Sequence, residues 1–508
     1  MSGSPSPIDQ QSPSRDTKSR VTLPATLAIG FTGHRKLTNE QELRAIILRF
    51  LKHWKTRTSA IVYGVSSVAA GSDLVFAECC AELSLPVRIF LPLPIGEFRD
   101  DFDEVSWNRA QQILDRALSV EVVGESGTRD ERYYNCGIET VLQSQRLLAV
   151  WNGQPSRGLG GTADIVEFAK GQGRPVAWIN CDTGEVQHFN QEDELPADPE
   201  MEFLNGLADL RVQTAINSTG DLARAWFRKI DDHASHAAPQ TRRMTAIPIF
   251  CTAVAATLSG IGSVMGGNGI WLLGVGTGWG IMAPVLPTIM KLGKRQVEWG
   301  RIRTAAEICR SMLALWSTPG TYHVIGPEAA PELSGMLMSL NYLKISDRSR
   351  EEISASDFKK RYRVERVQHQ IGYFRSHAAE SSKQAQRYAR AIRIATSIAL
   401  IANLWMFAIL LHGKGPMKGP LGFVPKLTGT VFFQVATIAG ALLMVYDYRR
   451  RRQRYREMHD LLVRWDRQLE LSLTWFTILR ITDAVEKALL TEVIEWRSLI
   501  RHRKLSQK

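Results

Sequence analysis

Short β-rich runs alternate with longer polar stretches between residues 25 and 181. Six runs are rich in aliphatic, β-branched and aromatic residues and are bounded by Gly, Pro or polar residues: 25–31, 59–64, 87–93, 120–123, 146–151 and 175–180. Most of the stretches between them are long enough for a helix. This alternation predicts a doubly wound, mostly parallel, Rossmann-like α/β domain.

The second half of the chain has a different pattern, because four of its segments are apolar and uncharged. Residues 244–265 and 270–290 form a first pair, joined by the turn sequence GGNG, and residues 394–413 and 427–446 form a second pair. About 20 apolar residues span the hydrocarbon core of a bilayer. We therefore expect four transmembrane helices in two hairpins. Two buried hairpins in a large soluble protein are the alternative, which is disfavoured because four such segments are difficult to bury.

Amphipathic stretches flank the apolar segments. In residues 361–390 and again beyond residue 457, apolar residues recur at alternating spacings of three and four, which is typical of helices that pair with other helices. The fold expected is thus an α/β domain followed by an all-α membrane region with cytoplasmic helices. The expected parts are a disordered tail (1–22), the α/β domain (23–183), a linker (184–217), the first hairpin with its flanking helices (218–325) and a second hairpin with a C-terminal cytoplasmic helix (326–508).

The charge distribution agrees with a membrane protein. The chain of 508 residues carries 63 Lys and Arg against 51 Asp and Glu, a formal net charge of +12. Many basic residues lie at the ends of the hairpins that are away from the connecting turns, as in Arg387, Arg390 and the run 449–452. The positive-inside rule then places both termini on the cytoplasmic side, which agrees with an N-terminus that lacks a signal peptide. Because these residues form no stripe with interleaved aromatics, we expect no nucleic-acid partner.

Cysteines and glycines add two expectations. The six cysteines are scattered without a CxxC pair or a histidine cluster, so reduced thiols and no metal site are expected. The first hairpin is rich in glycine, including the sequence GVGTGWG, and glycines let helices approach closely in lipid. Ordinary packing within one chain explains these glycines, and an oligomeric or pore-lining face is the alternative. We expect a homo-oligomer.

Three Gly-rich loops follow predicted strands and should meet at one edge of the sheet. They contain the sequences GFTGHRKL, YGVSSVAAGSD and WNGQPSRGLGGTAD. Ligands of open α/β sheets bind beyond the carboxyl ends of the strands, where glycines and helix N-termini favour anions. The candidate ligand-binding residues are Gly30, Thr32, Gly33, His34, Arg35, Gly64, Ser66, Ser67, Gly71, Asp73, Arg157, Gly160, Gly161, Thr162 and Asp164. Arginine and histidine would contact phosphate, and the aspartates would hold a ribose hydroxyl or a base.

These motifs resemble a known superfamily. GFTGHR, AAGSD, LPLPIGEFRDDF and AVWNGQPSRGLGGTAD occur in the order typical of the SLOG superfamily, which includes the Lonely-guy phosphoribohydrolases and the DprA-like proteins. The resemblance covers residues 25–181 and implies a nucleotide or a nucleotide derivative as ligand. RYRVERVQHQIGYFRSHA and LLTEVIEWRSLI resemble SLATT domains, two-helix membrane effectors that accompany SLOG domains in bacterial conflict systems.

One departure from the Lonely-guy pattern concerns catalysis. In those enzymes a Gly-Gly-x-Gly-Thr-x-x-Glu block supplies the glutamate that works on the N-glycosidic bond. Here Ile165 stands at the position of that glutamate, while Glu167 lies two residues further on and Asp164 is shorter and displaced by one position. Binding without turnover is therefore the simpler interpretation.

The leading hypothesis is a membrane-bound sensor in a bacterial cytoplasmic membrane. A nucleotide second messenger or an NAD-derived metabolite would bind the α/β domain and trigger membrane disruption in antiviral defence, with no further cofactor. The alternative is a membrane-tethered hydrolase acting on an N-glycosidic or phosphate bond. A transporter ranks third, because the four apolar segments contain no charged residue to bind or relay an ion.

Overall fold

A computed structural model describes residues 22–123, 127–156, 158–190, 198–208, 216–289, 292–320, 330–349, 353–411 and 420–505. The tail expected at residues 1–22 lies outside the described residues except for its last position. The chain divides into two compact units, which are described separately below. The first comprises residues 1–229 and 318–350, and the second residues 230–317 and 351–508.

The described residues contain seven strands and sixteen α-helices, numbered here in chain order. The strands are β1 (Thr26–Gly33), β2 (Ile61–Ser66), β3 (Val87–Leu91), β4 (Ser119–Val122), β5 (Arg146–Trp151), β6 (Val176–Asn180) and β7 (Val186–Phe189). The helices up to residue 265 are α1 (Glu40–Arg57), α2 (Ser72–Glu82), α3 (Ile95–Arg99), α4 (Glu104–Leu114), α5 (Arg129–Leu142), α6 (Thr162–Gly171), α7 (Pro199–Ala208) and α8 (Thr219–Met265). The later helices are α9 (Ile270–Ile289), α10 (Leu292–Ala314), α11 (Ser334–Ile345), α12 (Ala355–Tyr362), α13 (His369–Leu411), α14 (Pro420–Tyr446), α15 (Tyr448–Leu471) and α16 (Trp475–Leu505).

The first unit is built on one seven-stranded sheet in the order β4-β3-β2-β1-β5-β6-β7. All neighbouring pairs are parallel except β6 and β7. Successive side chains of β1 alternate between the faces. Ile29 and Phe31 join the core beneath α1, α2 and α4, whereas Ala28 joins a cluster on the opposite face. Helices therefore cover both faces, which confirms the doubly wound α/β region.

Residues 184–217, expected as a linker, contain two regular elements within the described residues. β7 pairs antiparallel with β6, and α7 buries Met201 and Leu204. The Asn205 side chain accepts hydrogen bonds from the Leu23 amide (2.9 Å) and from Trp226 Nε1 (3.0 Å). β7 is a short, partly exposed strand that pairs with the neighbouring β6, whereas α7 is held by distant residues such as Leu23. The local sequence therefore gives little sign of either element.

A second difference concerns residues 318–350, which were expected in the membrane half. They belong to the first unit, where α11 packs against the sheet. The Tyr342 ring lies 5.3 Å from the Tyr63 ring, and Tyr342 packs against the cluster that contains Ala28. In a sequence, this buried helix is indistinguishable from one that belongs to the membrane region.

Three helical stretches of the described residues are long and apolar enough to cross a membrane. They are Ala246–Leu286, Ala355–Leu411 and Phe423–Leu471, judged by length and composition. Large apolar side chains along them are exposed within the second unit, for example Trp271 (61%), Trp405 (58%) and Phe433 (62%). Exposed aromatic and aliphatic side chains at this density indicate a lipid environment.

The first of these stretches contains most of both apolar segments of the expected first hairpin. The end of α8 is joined to α9 by a 3-10 turn at Gly266–Gly269, in which Gly266 has a φ of +63°. The chain folds back on itself at this turn. A Cβ atom built on Gly276 of α9 would lie 2.9 Å from the Ala255 carbonyl oxygen and 2.4 Å from Ser259 Oγ. Glycine at this position thus permits close packing of α9 on α8.

A buried ionic cluster joins the helices of the second unit around Glu486 of α16. Arg366 donates to both carboxylate oxygens (2.9 and 2.7 Å), and the hydroxyls of Tyr362 (2.7 Å) and Ser311 (2.6 Å) also donate to them. Arg366 lies in a π-helical turn, Arg363–Gln368, between α12 and α13. Glu486 is completely buried and Arg366 nearly so. Because four hydrogen bonds satisfy the carboxylate, this cluster fixes the register of α10, α12, the π-helical turn and α16.

Removal of one partner should show how much this cluster contributes to the free energy of unfolding. Arg366→Met leaves the buried Glu486 carboxylate without its counter-ion, and we expect a loss of about 3–5 kcal/mol in the free energy of unfolding. The measurement is thermal unfolding of the full-length protein in detergent, followed by tryptophan fluorescence. Lys294→Gln is the control, because Lys294 forms an exposed, 3.9 Å pair with Glu298 and should contribute less than about 1 kcal/mol. Equal shifts in the two variants would contradict this assignment.

Candidate functional site

The three Gly-rich loops follow three adjacent strands. β1 lies between β2 and β5, and all three run in the same direction. After β1 the chain proceeds outward through β2, β3 and β4, and after β5 it proceeds outward in the other direction. The carboxyl ends of β1 and β5 therefore flank the point where the strand order reverses. Ligands of open α/β sheets bind at this point.

Backbone hydrogen bonds connect the three loops. The His34 amide donates to the Val150 carbonyl (3.0 Å), and the His34 carbonyl accepts from the amide (3.1 Å) and the hydroxyl (3.0 Å) of Ser72. A Cβ atom on Gly33 would lie 2.1 Å from Ser72 Oγ. Gly71 has a φ of +97°, and a Cβ atom there would lie 2.3 Å from the Arg35 carbonyl oxygen. Both positions need glycine, since a side chain would push the first two loops apart.

Asp73 is buried beneath the second loop. Its Oδ1 accepts hydrogen bonds from the hydroxyls of Ser67 (2.9 Å) and Ser66 (3.2 Å). Burial raises the pKa of Asp73 from 3.8 to about 7, while the serine hydrogen bonds and the charge of Arg35 act in the opposite direction. The sequence predicted Asp73 as a ligand contact. In the structure this carboxyl group holds its own loop and changes protonation near neutral pH.

The third loop closes onto the start of α6. The Gly160 amide donates to Asp164 Oδ2 (3.0 Å), and the Asp164 amide donates to the Gly161 carbonyl (3.0 Å) and to Ser156 Oγ (3.3 Å). Gly160 has a φ of +86°, and a Cβ atom there would lie 2.8 Å from the Tyr134 amide nitrogen. Asp164 thus shapes the loop through its side chain. Arg157 lies outside the described residues.

The start of α6 presents free amides. Gly161 occupies the N-cap and supplies no side-chain cap, so within the described residues the amides of Thr162 and Ala163 have no acceptor in the protein. Such amides, together with the positive end of the helix dipole, favour a bound anion. The half-buried Thr162 side chain lies directly at this position.

Arg35 lies in a charged cluster that the sequence analysis missed. Its guanidinium lies 4.9 Å from the centroid of the Tyr133 ring and 3.5 Å from the carboxylate of Asp101. Asp101 also forms an ion pair with Arg129 and accepts a hydrogen bond from the Tyr133 hydroxyl. Asp101 belongs to the sequence LPLPIGEFRDDF, which follows β3 and was used only for the family resemblance. A phosphate at this edge would compete with Asp101 for Arg35.

The other predicted residues divide into two groups. Gly30 and Gly64 lie within strands and allow close helix packing, since Cβ atoms there would lie 2.5 Å from Ser144 Oγ and 3.0 Å from Cys80 Sγ. They support the sheet below the edge. Thr32, by contrast, lies at the end of β1 and pairs in register with Ala149 of β5. The edge itself therefore consists of Thr32, Gly33, His34, Arg35, Ser67, Gly71, Gly160, Gly161 and Thr162.

The residues around the Lonely-guy glutamate position can now be placed. Ile165 is buried in the core between α6 and the sheet, in contact distance of Gly137 on α5. The exposed Glu167 carboxylate pairs with Lys170 at 3.1 Å. Since the side chain at position 165 points into the core, a glutamate there would not be tolerated without a change of packing.

No protein-family model matches this chain, and no curated protein is similar enough to match it.

The protonation of Asp73 should make stability depend on pH. A carboxyl group with a pKa raised by folding stabilises the folded state below its unfolded value of 3.8, and this contribution is lost as pH rises through about 7. We expect the free energy of unfolding of the wild type to fall from pH 5 to pH 8 relative to that of Asp73→Asn, by roughly 3 kcal/mol, because about two pH units of the transition lie in this window. Asp115→Asn at an exposed carboxylate is the control. A pH-independent difference between wild type and Asp73→Asn would contradict the shift.

Proposed function

We propose that this protein is a membrane-bound sensor of a nucleotide second messenger or an NAD-derived metabolite. The ligand would bind the edge formed by the loops after β1, β2 and β5. The observation that carries the proposal is the joining of these three loops at the reversal of strand order, next to the free amides of α6. Phosphate would accept hydrogen bonds from the amides, and Arg35 would supply a positive charge.

The membrane half would be the output. We assign four crossings, with α8 and α9 as one hairpin and the apolar parts of α13 and α14 as the other, and place both termini in the cytoplasm of a bacterial cell. The four crossings are supported by the packing of α9 back against α8. The orientation is supported by the basic residues at the ends of the hairpins away from the connecting turns. A homo-oligomer whose apolar helices disrupt the membrane would fit an antiviral role, as the likeness to SLOG and SLATT domains implies.

Signal transmission requires that the ligand bind two states of the protein with different affinity. The Glu486 cluster is a suitable two-state element. Its charged groups are buried, so its hydrogen bonds are either all formed or broken together, with few intermediate arrangements of the side chains. The π-helical turn that carries Arg366 leads directly into α13. A shift of this turn would break or remake the hydrogen bonds to Glu486 and would move the base of an apolar helix.

Binding without turnover is the proposed mode of action at the α/β edge. Three observations support it. Ile165 is apolar and buried in the core, the Glu167 carboxylate is paired with Lys170 at the surface, and the Asp164 carboxylate bonds to its own loop. None of the three therefore supplies a carboxylate directed at a glycosidic bond.

A matched pair of glycine variants tests the proposal. Gly161→Glu places a negative charge at the start of α6, and Gly171→Glu places the same charge at the end of the same helix, where a Cβ atom meets nothing within 4 Å. The full-length protein is reconstituted into dye-loaded vesicles and exposed to cyclic nucleotides, nucleoside monophosphates, NAD and ADP-ribose. We expect at least one of these compounds to cause leakage through wild type and Gly171→Glu. Leakage through Gly161→Glu should be lower by at least about tenfold, although this variant inserts normally.

Two outcomes would overturn the proposal. One is unimpaired triggering in Gly161→Glu, which would show that the start of α6 takes no part in binding. The other is the absence of leakage through the wild type with every compound of the panel.

A further inference from the structure

Tyrosine rings connect α13 with α15 near the ends of the apolar segments of α13 and α14. The Tyr388 ring of α13 stacks on the Tyr448 ring of α15 at 5.8 Å and an interplanar angle of 18°, and Tyr446 lies 5.5 Å from Tyr448. Arg387 and Arg390 flank the contact on α13, and the adjoining Arg449 and Arg450 flank it on α15. All four arginines are exposed. We call these four arginines and the residues Tyr388 and Tyr448 the arginine–tyrosine surface.

A break between α14 and α15 places the basic residues of α15 next to the apolar segment of α14. α14 ends at Tyr446 and α15 begins at Tyr448, and Asp447 between them has a φ of +46°. This left-handed conformation is unfavourable for residues other than glycine and is best tolerated by Asn and Asp. The basic run that starts at Arg449 therefore begins immediately after the apolar segment.

Ion pairing differs along the same two helical segments. Far from the apolar parts, Arg363 pairs with Asp466 at 2.8 Å and Arg366 pairs with Glu486. In the part of the chain that the structure describes, the four arginines of the arginine–tyrosine surface have no carboxylate partner. Asp447 is the acidic residue closest to them in sequence, and it leaves the local charge strongly positive. These guanidinium groups are thus available to an anion outside the protein.

The position of the surface identifies that anion. It adjoins the exposed apolar side chains of α13 and α14, where the head groups of a bilayer begin. Tyrosine is enriched at this depth because its ring is apolar and its hydroxyl is polar, and arginine binds phosphate through two parallel hydrogen bonds. We propose that the arginine–tyrosine surface binds the head groups of anionic phospholipids. This site would hold the α13–α15 contact at the membrane surface, independently of any ligand of the α/β unit.

Lipid retention tests this site on the full-length protein. Wild type is reconstituted into nanodiscs of equal parts phosphatidylglycerol and phosphatidylcholine, and the lipids that remain bound after extraction are counted by native mass spectrometry. Wild type should retain phosphatidylglycerol in preference to phosphatidylcholine. In R387Q/R390Q/R449Q/R450Q the ratio of phosphatidylglycerol to phosphatidylcholine should fall by at least about tenfold, since each basic residue near an anionic surface contributes substantially.

Two further variants make the result specific. R49Q/K52Q/R57Q/R116Q removes the same four charges from exposed positions of the first unit and should keep the wild-type ratio. R387K/R390K/R449K/R450K preserves the charge and should keep most of the preference. If the glutamine variant fails to insert, R387Q/R390Q and R449Q/R450Q are each compared with wild type, and each should lose part of the preference. An unchanged ratio in the glutamine variants, or an equal loss in the first-unit control, would overturn the proposal.

Discussion

Every backbone amide and carbonyl in the hydrocarbon of a bilayer must find its hydrogen-bond partner within the protein, and the second unit is organised by that constraint. Its apolar segments are helical throughout their described parts, so their main-chain groups are satisfied locally. The side chains on their outer faces, such as Trp405 and Phe433, remain exposed within the unit because lipid would surround them. Small residues lie on the inner faces, where Ala395 and Ala399 of α13 are buried. Helix packing in lipid relies on such close approaches.

Charge follows the same division. Where protein surrounds an arginine, the chain supplies carboxylates, as Glu486 does for Arg366. Glu307 in the same unit is buried too, and although burial alone would raise its pKa, Arg303 and Arg310 hold that pKa below its usual value. At the arginine–tyrosine surface, by contrast, the four arginines are exposed and have no carboxylate partner among the described residues. A buried ionic cluster thus fixes the helices to one another, while these four arginines are left to meet the bilayer surface.

Much of the α/β fold could be predicted from the sequence, because six of its strands are β-rich and separated by turns, and five of these six are largely buried. The sequence also predicted that the three loops meet at one edge of the sheet, but only the assembled sheet shows that their strands are adjacent, with β1 between β2 and β5. The sequence does not reveal that Asp101 and Tyr133 surround Arg35, since they come from separate parts of the chain. The role of Asp73 was also not predictable, because its burial depends on packing between α2 and the second loop. α7 and α11 depend in the same way on distant partners, whereas β7 was missed because it is short and partly exposed.

The central claim is that the edge beyond β1, β2 and β5 holds a phosphate-bearing nucleotide or nucleotide derivative. Mass spectrometry of the small molecules released from the full-length protein, purified in nanodiscs, tests it most directly. The account predicts that wild type releases such a compound and that Gly33→Val, in which the first two loops are forced apart, releases far less. Recovery of no phosphate-bearing compound from wild type, or equal recovery from both proteins, would contradict it.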